Sequence, residues 1–126
     1  EATIRVDLTA AFLVARAFLR RVAAQGHGNL VFVGSTAALF GEADHSDYAA
    51  AKAAVVYGLV RSLKNEIVRV APAGRVNAVC PGWTRTEMTR AALEDPTLVP
   101  RATRTMALRK LATAGDVAAV TAGRLP

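Results

Sequence analysis

The fold of this chain is decided by residues 29–82, "NLVFVGSTAALFGEADHSDYAAAKAAVVYGLVRSLKNEIVRVAPAGRVNAVCPG". The stretch opens with a short apolar run, "NLVFVG" at 29–34, and closes with a second, "RVNAVC" at 75–80. Such β-branched runs are typical of strands covered on both faces. Between them, helical spacing of apolar residues from about Asp47 to Arg69 predicts one helix. Strand, helix and strand in this order predict a βαβ unit with parallel strands and a right-handed crossover, which is α/β architecture.

The residues before this unit predict a further helix. Apolar side chains recur at steps of three and four over residues 3–24, which is the period of an α-helix. They are Val6, Ala10, Leu13, Val14, Ala17, Phe18 and Val22. Residues of the types that cap or break helices bound both helices. These are Gly26 and Gly28 after the first, Ser46 or Asp47 before the second, and Pro72 and Gly74 after the second.

The residues after the second strand predict shorter helices. Helical pieces are expected near 86–94 and 101–111, separated by "EDPTLVP", and a last helix is expected within 115–125, with Asp116 as its cap. Two strands do not make a stable parallel sheet by themselves, because parallel sheets have several strands with helices on both faces. We therefore interpret residues 1–126 as a single partial domain of a doubly wound, Rossmann-like parallel sheet, unless the chain completes its sheet by association.

Composition and charge narrow the class of protein. Of 126 residues, 52% are apolar and 21% charged, which is typical of one soluble globular domain. No run approaches the roughly 18 apolar residues of a membrane span, and the first residues do not resemble a signal peptide, so we expect a cytoplasmic protein with no membrane contact. The net charge of +6 is scattered along the chain, which argues against nucleic-acid binding. Cys80 is the only cysteine, so no internal disulfide and no cysteine-based zinc site is expected. His27 and His45 lie in polar loops and are not expected to bind a metal, so no metal site is predicted.

Chemically useful side chains follow both strands, at the edge where open α/β sheets bind ligands. Ser35 comes directly after the first strand, and Tyr48 and Lys52 begin the helix after it. Residues four apart on a helix face the same way, and an ammonium near a phenol favours the phenolate, so this pair suits general acid/base catalysis. Ser35 could hold a carbonyl oxygen, and the hydride would have to come from a nicotinamide cofactor. The residues after the second strand at this edge are Pro81, Gly82, Thr84 and Thr86.

Taken together, these segments resemble the classical short-chain dehydrogenase/reductase family over nearly the whole chain. "GNLVFVGSTAALFG" is similar to the family's serine strand and loop, and "YAAAKAAVVYGLVRSLKNEI" to its active-site helix. "GRVNAVCPGWTRTEM" looks like the strand and cofactor-contacting turn that follow. "LRKLATAGDVAAV" resembles the segment before the last helix, although Ala114 and Gly115 depart from the usual Pro-Glu.

The resemblance implies a role for each matching residue and a cofactor, NAD or NADP. Tyr48 would be the catalytic acid/base, Ser35 would hydrogen-bond the substrate oxygen, and Lys52 would hold the nicotinamide ribose and assist Tyr48. Asp7 matches a position where the family usually has an asparagine that anchors a water in the proton relay, so that the relay would shift in its pH dependence without vanishing. The expected cofactor contacts are Tyr48, Lys52, Pro81, Gly82, Thr84 and Thr86.

Two family motifs, the glycine-rich TGxxxGxG turn and the NNAG segment, do not occur in this sequence. The chain is therefore expected to carry the catalytic half of the fold, without the N-terminal cofactor-binding half, and to be inactive and without useful cofactor binding by itself. Residues 86–110 resemble the family's mobile substrate lid. Its apolar lining for a carbonyl or alcohol substrate would be Met88, Leu93, Leu98, Val99 and Met106. The basic residues in and next to it could meet the phosphate of an acyl carrier or coenzyme A, and the alternative is that they are simply solvated; they are Arg85, Arg90, Arg101 and Arg104.

The resemblance also implies association, and two other functions stay open. Helices 3–24 and 47–70 are similar to those that pair across a dimer axis, which implies a homodimer or homotetramer. One alternative is a catalytically silent fragment whose role is this association alone. A serine hydrolase using Ser35, His45 and Asp47 is disfavoured, because a nucleophile elbow needs glycines two positions either side of the serine.

Overall fold

The computed structural model of the chain describes residues 1–104 and 106–123. It divides into two compact units, Glu1–Cys80 and Pro81–Pro126. None of the helices in the described ranges is long and apolar enough to cross a membrane. The predicted last helix, 115–125, extends at its end into residues 124 and 125, which lie outside the described residues.

In the first unit, helix α1 is continuous and contains one π-helical turn. It consists of an α-helical turn at Ala2–Ile4, a π-helical turn at Arg5–Thr9 and an α-helix at Ala10–Gln25. Gly26, at φ 76°, adopts the left-handed conformation that ends helices, and its N–H donates to the carbonyl of Val22. The predicted helix and its glycine stop are confirmed, whereas the π-helical turn was not foreseen.

The two strands of this unit pair in parallel, as predicted. β1 (Asn29–Val33) lies beside β2 (Arg75–Val79), with Phe32 opposite Ala78. The prediction that both faces are covered is wrong for the described residues, since Phe32 is buried and the next residue, Val33, is 52% exposed. The reason is that both long helices contribute to a single core on one face of the sheet.

Helix α3 carries Tyr48 and Lys52, the predicted acid/base pair, and follows a short helix, α2 (Ala37–Phe40), in the predicted loop. It consists of an α-helix at Ser46–Ala53, a π-helical turn at Ala54–Leu59 and an α-helix at Val60–Ile67. The prediction of Ser46 or Asp47 as N-cap is wrong: the helix already includes Ser46, and His45 takes the cap position without a side-chain hydrogen bond. The Asp47 carboxylate instead accepts from the Tyr48 N–H at 2.9 Å.

The core of the first unit joins both long helices to the sheet. Ile67 and Val22 are fully buried, one from each helix. The apolar stripe predicted on the first helix is only partly a core stripe, because Val6 is 70% and Val14 64% exposed. This helix is apolar on more than one face, so helical period alone does not identify the buried one. The buried residues of the cluster are Ala15, Val22, Phe32, Val55, Leu63, Ile67, Ala71 and Val76.

The second unit is built from short elements, two of which were not predicted. They are β3 (Thr84–Arg85), α4 (Arg90–Leu93), α5 (Leu98–Thr103), β4 (Ala112–Thr113) and α6 (Ala114–Thr121). β3 and β4 pair in parallel over two residues each. Because Thr89 accepts a hydrogen bond from the Thr86 N–H, residues 86–89 form turns, and the predicted helix 86–94 is shortened to α4.

The predicted helix 101–111 is wrong in position. α5 begins before Pro100, since a proline within the first turn of a helix loses no hydrogen bond. Asp95 prepares this start by accepting from the backbone and hydroxyl of Thr97, both at 2.8 Å. Residues 106–111 are not helical, and Arg109, at φ 51°, has a left-handed backbone that a right-handed helix does not accept.

A capping box begins α6 and corrects the prediction of Asp116 as cap. Thr113 is the N-cap and accepts from the Asp116 N–H, and the Asp116 carboxylate accepts from the Thr113 N–H at 2.7 Å and hydroxyl at 2.8 Å. These hydrogen bonds from the Thr113 backbone and side chain lower the pKa of Asp116 below its ordinary 3.8.

We expect Asp116→Asn to destabilise the protein at neutral pH but not in acid. A lowered folded-state pKa means that the carboxylate's stabilisation is fully present above pH 3.8 and is lost as the pH falls through the folded value. Urea unfolding at several pH values checks this, since the gap between the two midpoints should close below pH 3.8. A gap that does not change with pH would contradict the charge-based account.

Candidate active site

The site begins at the carboxyl end of β1, where Gly34 lets the chain pass close to its neighbours. The Gly34 N–H donates to the Val79 carbonyl at 2.8 Å. A Cβ at this position would lie 2.7 Å from Val56 Cγ2 and 2.8 Å from Cys80 Sγ, so a side chain here would force its neighbours apart. The next residue, Ser35, is buried and lies two residues after the end of β1.

Ser35 keeps a proton to donate. Its Oγ accepts from the Ala37 N–H at 3.1 Å, which also starts the short helix α2. A hydroxyl has one O–H as well as its acceptor lone pairs, so this contact leaves the O–H free to turn toward another oxygen. A carbonyl oxygen is one acceptor that this O–H could reach, and the substrate-binding role of Ser35 stays a prediction.

Lys52 links three elements at this edge. Its Nζ donates to the Val33 carbonyl, the last of β1, at 3.1 Å and lies 3.0 Å from Asp7 Oδ1 on α1. Nζ is also 5.6 Å from the ring centroid of the half-buried Tyr48, one turn earlier in α3. The structure therefore brings Asp7, Tyr48 and Lys52 together at the end of the strand that Ser35 follows.

Both π-helical turns lie at the ion pair. One contains Asp7, and the other begins at Ala54, two residues after Lys52. A π-helical turn shifts the residues on its two sides relative to the regular helical register, and such turns are frequent at functional sites. The spacing of apolar residues in the sequence did not indicate either π-helical turn, because each turn adds a single residue to an otherwise regular helical pattern.

The remaining polar groups near Tyr48 do not support a hydrolase. Hydrogen bonds from the Thr3 side chain and the Tyr48 N–H lower the pKa of Asp47, so it is a carboxylate at neutral pH. The His45 ring contacts the Ala43 carbonyl at 3.1 Å. Within the described ranges, Ser35 and His45 share no hydrogen bond, and no group of three or more His, Cys, Asp or Glu is placed to hold a metal ion.

A cleft of about 280 Å³ opens beside β1 in the first unit. Asp7 and Lys52 are its charged lining residues, and the rest of its wall is apolar. The cleft was not foreseen from the sequence, because its wall combines the exposed side of α1 with β1 and α3. These apolar lining residues are Val6, Ala10, Ala11, Val14, Leu30, Val31, Phe32, Val33 and Val55.

The predicted cofactor turn lies in the second unit and is held by threonines. Pro81 and Gly82 are half-buried, and the Thr84 hydroxyl donates to the Gly82 carbonyl at 3.0 Å. Thr89, which sequence reasoning missed, donates its hydroxyl to the Thr84 carbonyl at 2.7 Å and lies 3.2 Å from the Thr86 hydroxyl. The spacing T-x-T-x-x-T was the available signal, since threonine side chains bond readily to nearby backbone.

The segment predicted as a substrate lid is mixed in exposure. Met88 is 92% exposed, whereas Leu98, predicted as part of the apolar lining, is buried. Arg85 and Arg90 line a cleft of about 420 Å³ in this unit, and Arg90 pairs with Glu87 at 2.7 Å.

Comparison with known proteins identifies relatives over most of the chain. A family model described as enoyl-(acyl carrier protein) reductase matches residues 1–123. The chain is 37% identical over 93 residues to 3-oxoacyl-(acyl-carrier-protein) reductase FabG of Escherichia coli (strain K12), covering 73% of this chain and 36% of that protein. It is 32% identical over 120 residues to 3-oxoacyl-(acyl-carrier-protein) reductase MabA of Mycobacterium tuberculosis (strain ATCC 25618 / H37Rv), covering 95% of this chain. The chain spans about half the length of that relative, 47%.

Solved structures of similar fold also superpose on most of the chain. The TT0495 protein of Thermus thermophilus superposes with a TM-score of 0.87 at 30% identity, covering 98% of this chain and 52% of that one. A 4-hydroxyisoleucine dehydrogenase complexed with NADH superposes with a TM-score of 0.86 at 26% identity, covering 94% of this chain and 48% of that one. The predicted fold class, a partial Rossmann-like α/β sheet, is confirmed. The chain belongs to the short-chain dehydrogenase/reductase family of oxidoreductases.

Proposed function

We propose that the protein carrying this chain is an NAD(P)-dependent oxidoreductase that transfers a hydride between a nicotinamide and a ketone or secondary alcohol. The observation that carries the proposal is the position of Lys52, bonded to the last carbonyl of β1, with its ammonium 5.6 Å from the Tyr48 ring centroid. This is the strand end where open α/β sheets bind ligands. Buried Ser35 follows the end of this strand by two residues. The reductase and dehydrogenase names of the relatives support the same chemistry.

Each residue has a distinct task in the proposed reaction. Ser35 donates its free O–H to the substrate carbonyl oxygen and orients it. Tyr48 donates the phenol proton to that oxygen as the carbonyl is reduced, and accepts it back when the alcohol is oxidised. Lys52 keeps a positive charge beside the ring and so favours the phenolate that remains after proton donation.

The residues present fit a nicotinamide cofactor. An ammonium has three N–H donors, and Val33 and Asp7 engage two of those of Lys52, which leaves one for a ribose hydroxyl. We propose Tyr48, Lys52, Pro81, Gly82, Thr84 and Thr86 as the cofactor contacts. When bound, the cofactor supplies the hydride that no side chain can. These residues hold and orient it, and Tyr48 moves the proton.

The substrate we propose is a 3-oxoacyl thioester carried on an acyl carrier protein or coenzyme A. Two relatives are named as 3-oxoacyl-(acyl-carrier-protein) reductases. The cleft of the second unit is lined by Arg85 and Arg90 and also by Glu87 and Glu94, and Arg90 pairs with Glu87. The exposed Arg85 is therefore the residue that we propose to meet an anionic carrier. Its neighbouring lid segment, 86–110, provides the exposed apolar side chain of Met88 for an acyl chain.

We also propose that the enzyme is a homodimer or homotetramer that associates through α1 and α3. The supporting observation is the exposed apolar surface of both helices. On α1, Phe12 is 45% and Leu13 44% exposed, and on α3, Tyr57 is 44% exposed. A second copy would remove this surface from water, which favours association. A purely structural role is the alternative, and it predicts association without turnover.

An assay of cofactor consumption tests the proposed function. The native protein containing this chain should oxidise NADH or NADPH, seen as loss of reduced-cofactor absorbance, when given a 3-oxoacyl thioester. A free sugar ketone serves as the comparison substrate. The 126-residue chain by itself should bind no cofactor in a fluorescence titration, because too few dinucleotide contacts remain. Failure of the native protein to bind or oxidise either cofactor would contradict the proposal. Saturable cofactor binding by the 126-residue chain would contradict the expectation that this chain lacks the N-terminal cofactor-binding half of the fold.

A further inference from the structure

We propose that Asp7 is a positioning residue that offsets the charge of Lys52 and thereby sets the pH range over which Tyr48 transfers its proton. The inference rests on the proposed function and goes beyond it, because it concerns the control of that proton transfer. It starts from the ion pair between Asp7 Oδ1 and Lys52 Nζ, 3.0 Å apart.

The pair is shielded well enough to act on its surroundings. The Lys52 side chain is 14% exposed and that of Asp7 23%. Exposed ion pairs are weak and are screened by salt, whereas partly buried pairs are screened much less. The Asp7 carboxylate therefore acts on Lys52 even at salt concentrations that screen the interactions of exposed charges.

The second contact of Lys52 makes its position definite. Nζ donates to the Val33 carbonyl at 3.1 Å, so the ammonium is held between a backbone oxygen of β1 and the carboxylate of α1. A neutral amide in place of Asp7 would keep an acceptor for the same N–H. An Asp7→Asn substitution would remove the negative charge but keep the hydrogen bond to Lys52 Nζ. It therefore tests the effect of the charge apart from the effect of the contact.

Other charged groups lie on the elements around α3, and they differ from Asp7. Among the described residues only Asp7 forms an ion pair with Lys52. Helix α2 carries no charged residue. Apart from the pair itself, the charged groups and histidine of these elements are Glu1, Arg5, Arg16, Arg20 and Arg21 on or next to α1, Glu42, Asp44 and His45 in the loop before α3, Asp47, Arg61, Lys64 and Glu66 on α3, and Arg75 on β2.

The direction of the effect follows from the charges. A lone ammonium near the Tyr48 ring favours the phenolate, and a carboxylate 3.0 Å from that ammonium opposes part of its field at the ring. Removing the carboxylate charge therefore makes the phenolate easier to form. The enzyme should then work in a more acidic range in both reaction directions.

We expect Asp7→Asn in the native protein to move the pH profile of turnover to lower pH by about 0.5 to 1 unit, the size of a partly screened charge interaction. Asp7→Ser should move the pH profile in the same direction, whereas Asp7→Glu keeps a carboxylate and should give a profile close to that of the wild type. Glu42→Gln removes an exposed carboxylate of the same unit and is the matched control, with no expected displacement. Because the pair is shielded, the displacement should persist at high salt.

A second readout does not depend on turnover. In the same variants, NMR of ring-labelled tyrosine, assigned with Tyr48→Phe, should show the Tyr48 signal changing at lower pH in Asp7→Asn and Asp7→Ser than in the wild type. Coincident curves would overturn the inference while leaving the proposed function intact, provided Tyr48→Phe has lost turnover. A wild type without cofactor-linked turnover would instead contradict the proposed function, and the NMR curves would still decide the role of Asp7. Loss of folding in both neutral variants, seen by circular dichroism, would overturn the inference in favour of a structural role.

Discussion

Tyr48→Phe is expected to lower turnover of the native protein by about 10²- to 10⁴-fold while cofactor binding persists, because a positioned general acid contributes acceleration of this order. The substitution removes the hydroxyl alone. The half-buried ring and its place beside the Lys52 ammonium would be retained. Steady-state turnover and a fluorescence titration with reduced cofactor, made on the same preparation, separate the chemical step from binding.

Tyr57→Phe is the matched control for this prediction. Tyr57 is the other tyrosine of the chain and lies on the same helix, but it is 44% exposed and its ring is covered by the Arg61 guanidinium, 4.8 Å from the centroid. Turnover should be nearly unchanged in this variant. Undiminished turnover in Tyr48→Phe would disprove the acid/base role, and an equal loss in both variants would indicate damage to the helix.

Lys52→Met is expected to lower both turnover and stability. The methionine keeps the length of the side chain but removes the charge beside Tyr48, and loss of one preorganised electrostatic partner costs about 10²-fold or more in turnover. It also leaves the Asp7 carboxylate and the Val33 carbonyl without their donor. Breaking a buried ion pair costs about 3–5 kcal/mol and an exposed one about 0–1, so this shielded pair should cost about 1–3 kcal/mol.

Urea unfolding and steady-state kinetics measure the two effects, and Lys64→Met controls both. Lys64 lies on the same helix and is exposed, and its Nζ donates to the neighbouring Asn65 Oδ1 at 3.2 Å without an ion pair among the described residues. It should lose little in either measurement. A Lys52→Met protein that is as stable and as active as the Lys64→Met protein would show that the network at the end of β1 has neither role.

Much of the fold of the first unit could be predicted because the hydrophobic pattern and the turn residues indicate the same elements. The apolar runs at 29–34 and 75–80 and the helical period between them predicted parallel strands joined by a helix, and the structure confirms both. In the second unit the prediction was poorer. There Thr89, Asp95 and Thr113 set the helix starts through side-chain bonds to nearby backbone, which a hydrophobic period does not report.

The sequence by itself determined which functional groups lie near one another along the chain: a phenol and an amine one turn apart, a hydroxyl shortly after a strand, and a spacing similar to that of one oxidoreductase family. Only the tertiary structure decided what Lys52 contacts. Its partners, Val33 and Asp7, are 19 and 45 residues away along the chain, and they meet it because parallel packing brings the end of β1, α1 and α3 to one edge. Side-chain spacing reports neighbours on one helix, whereas contacts between elements depend on how their faces pack.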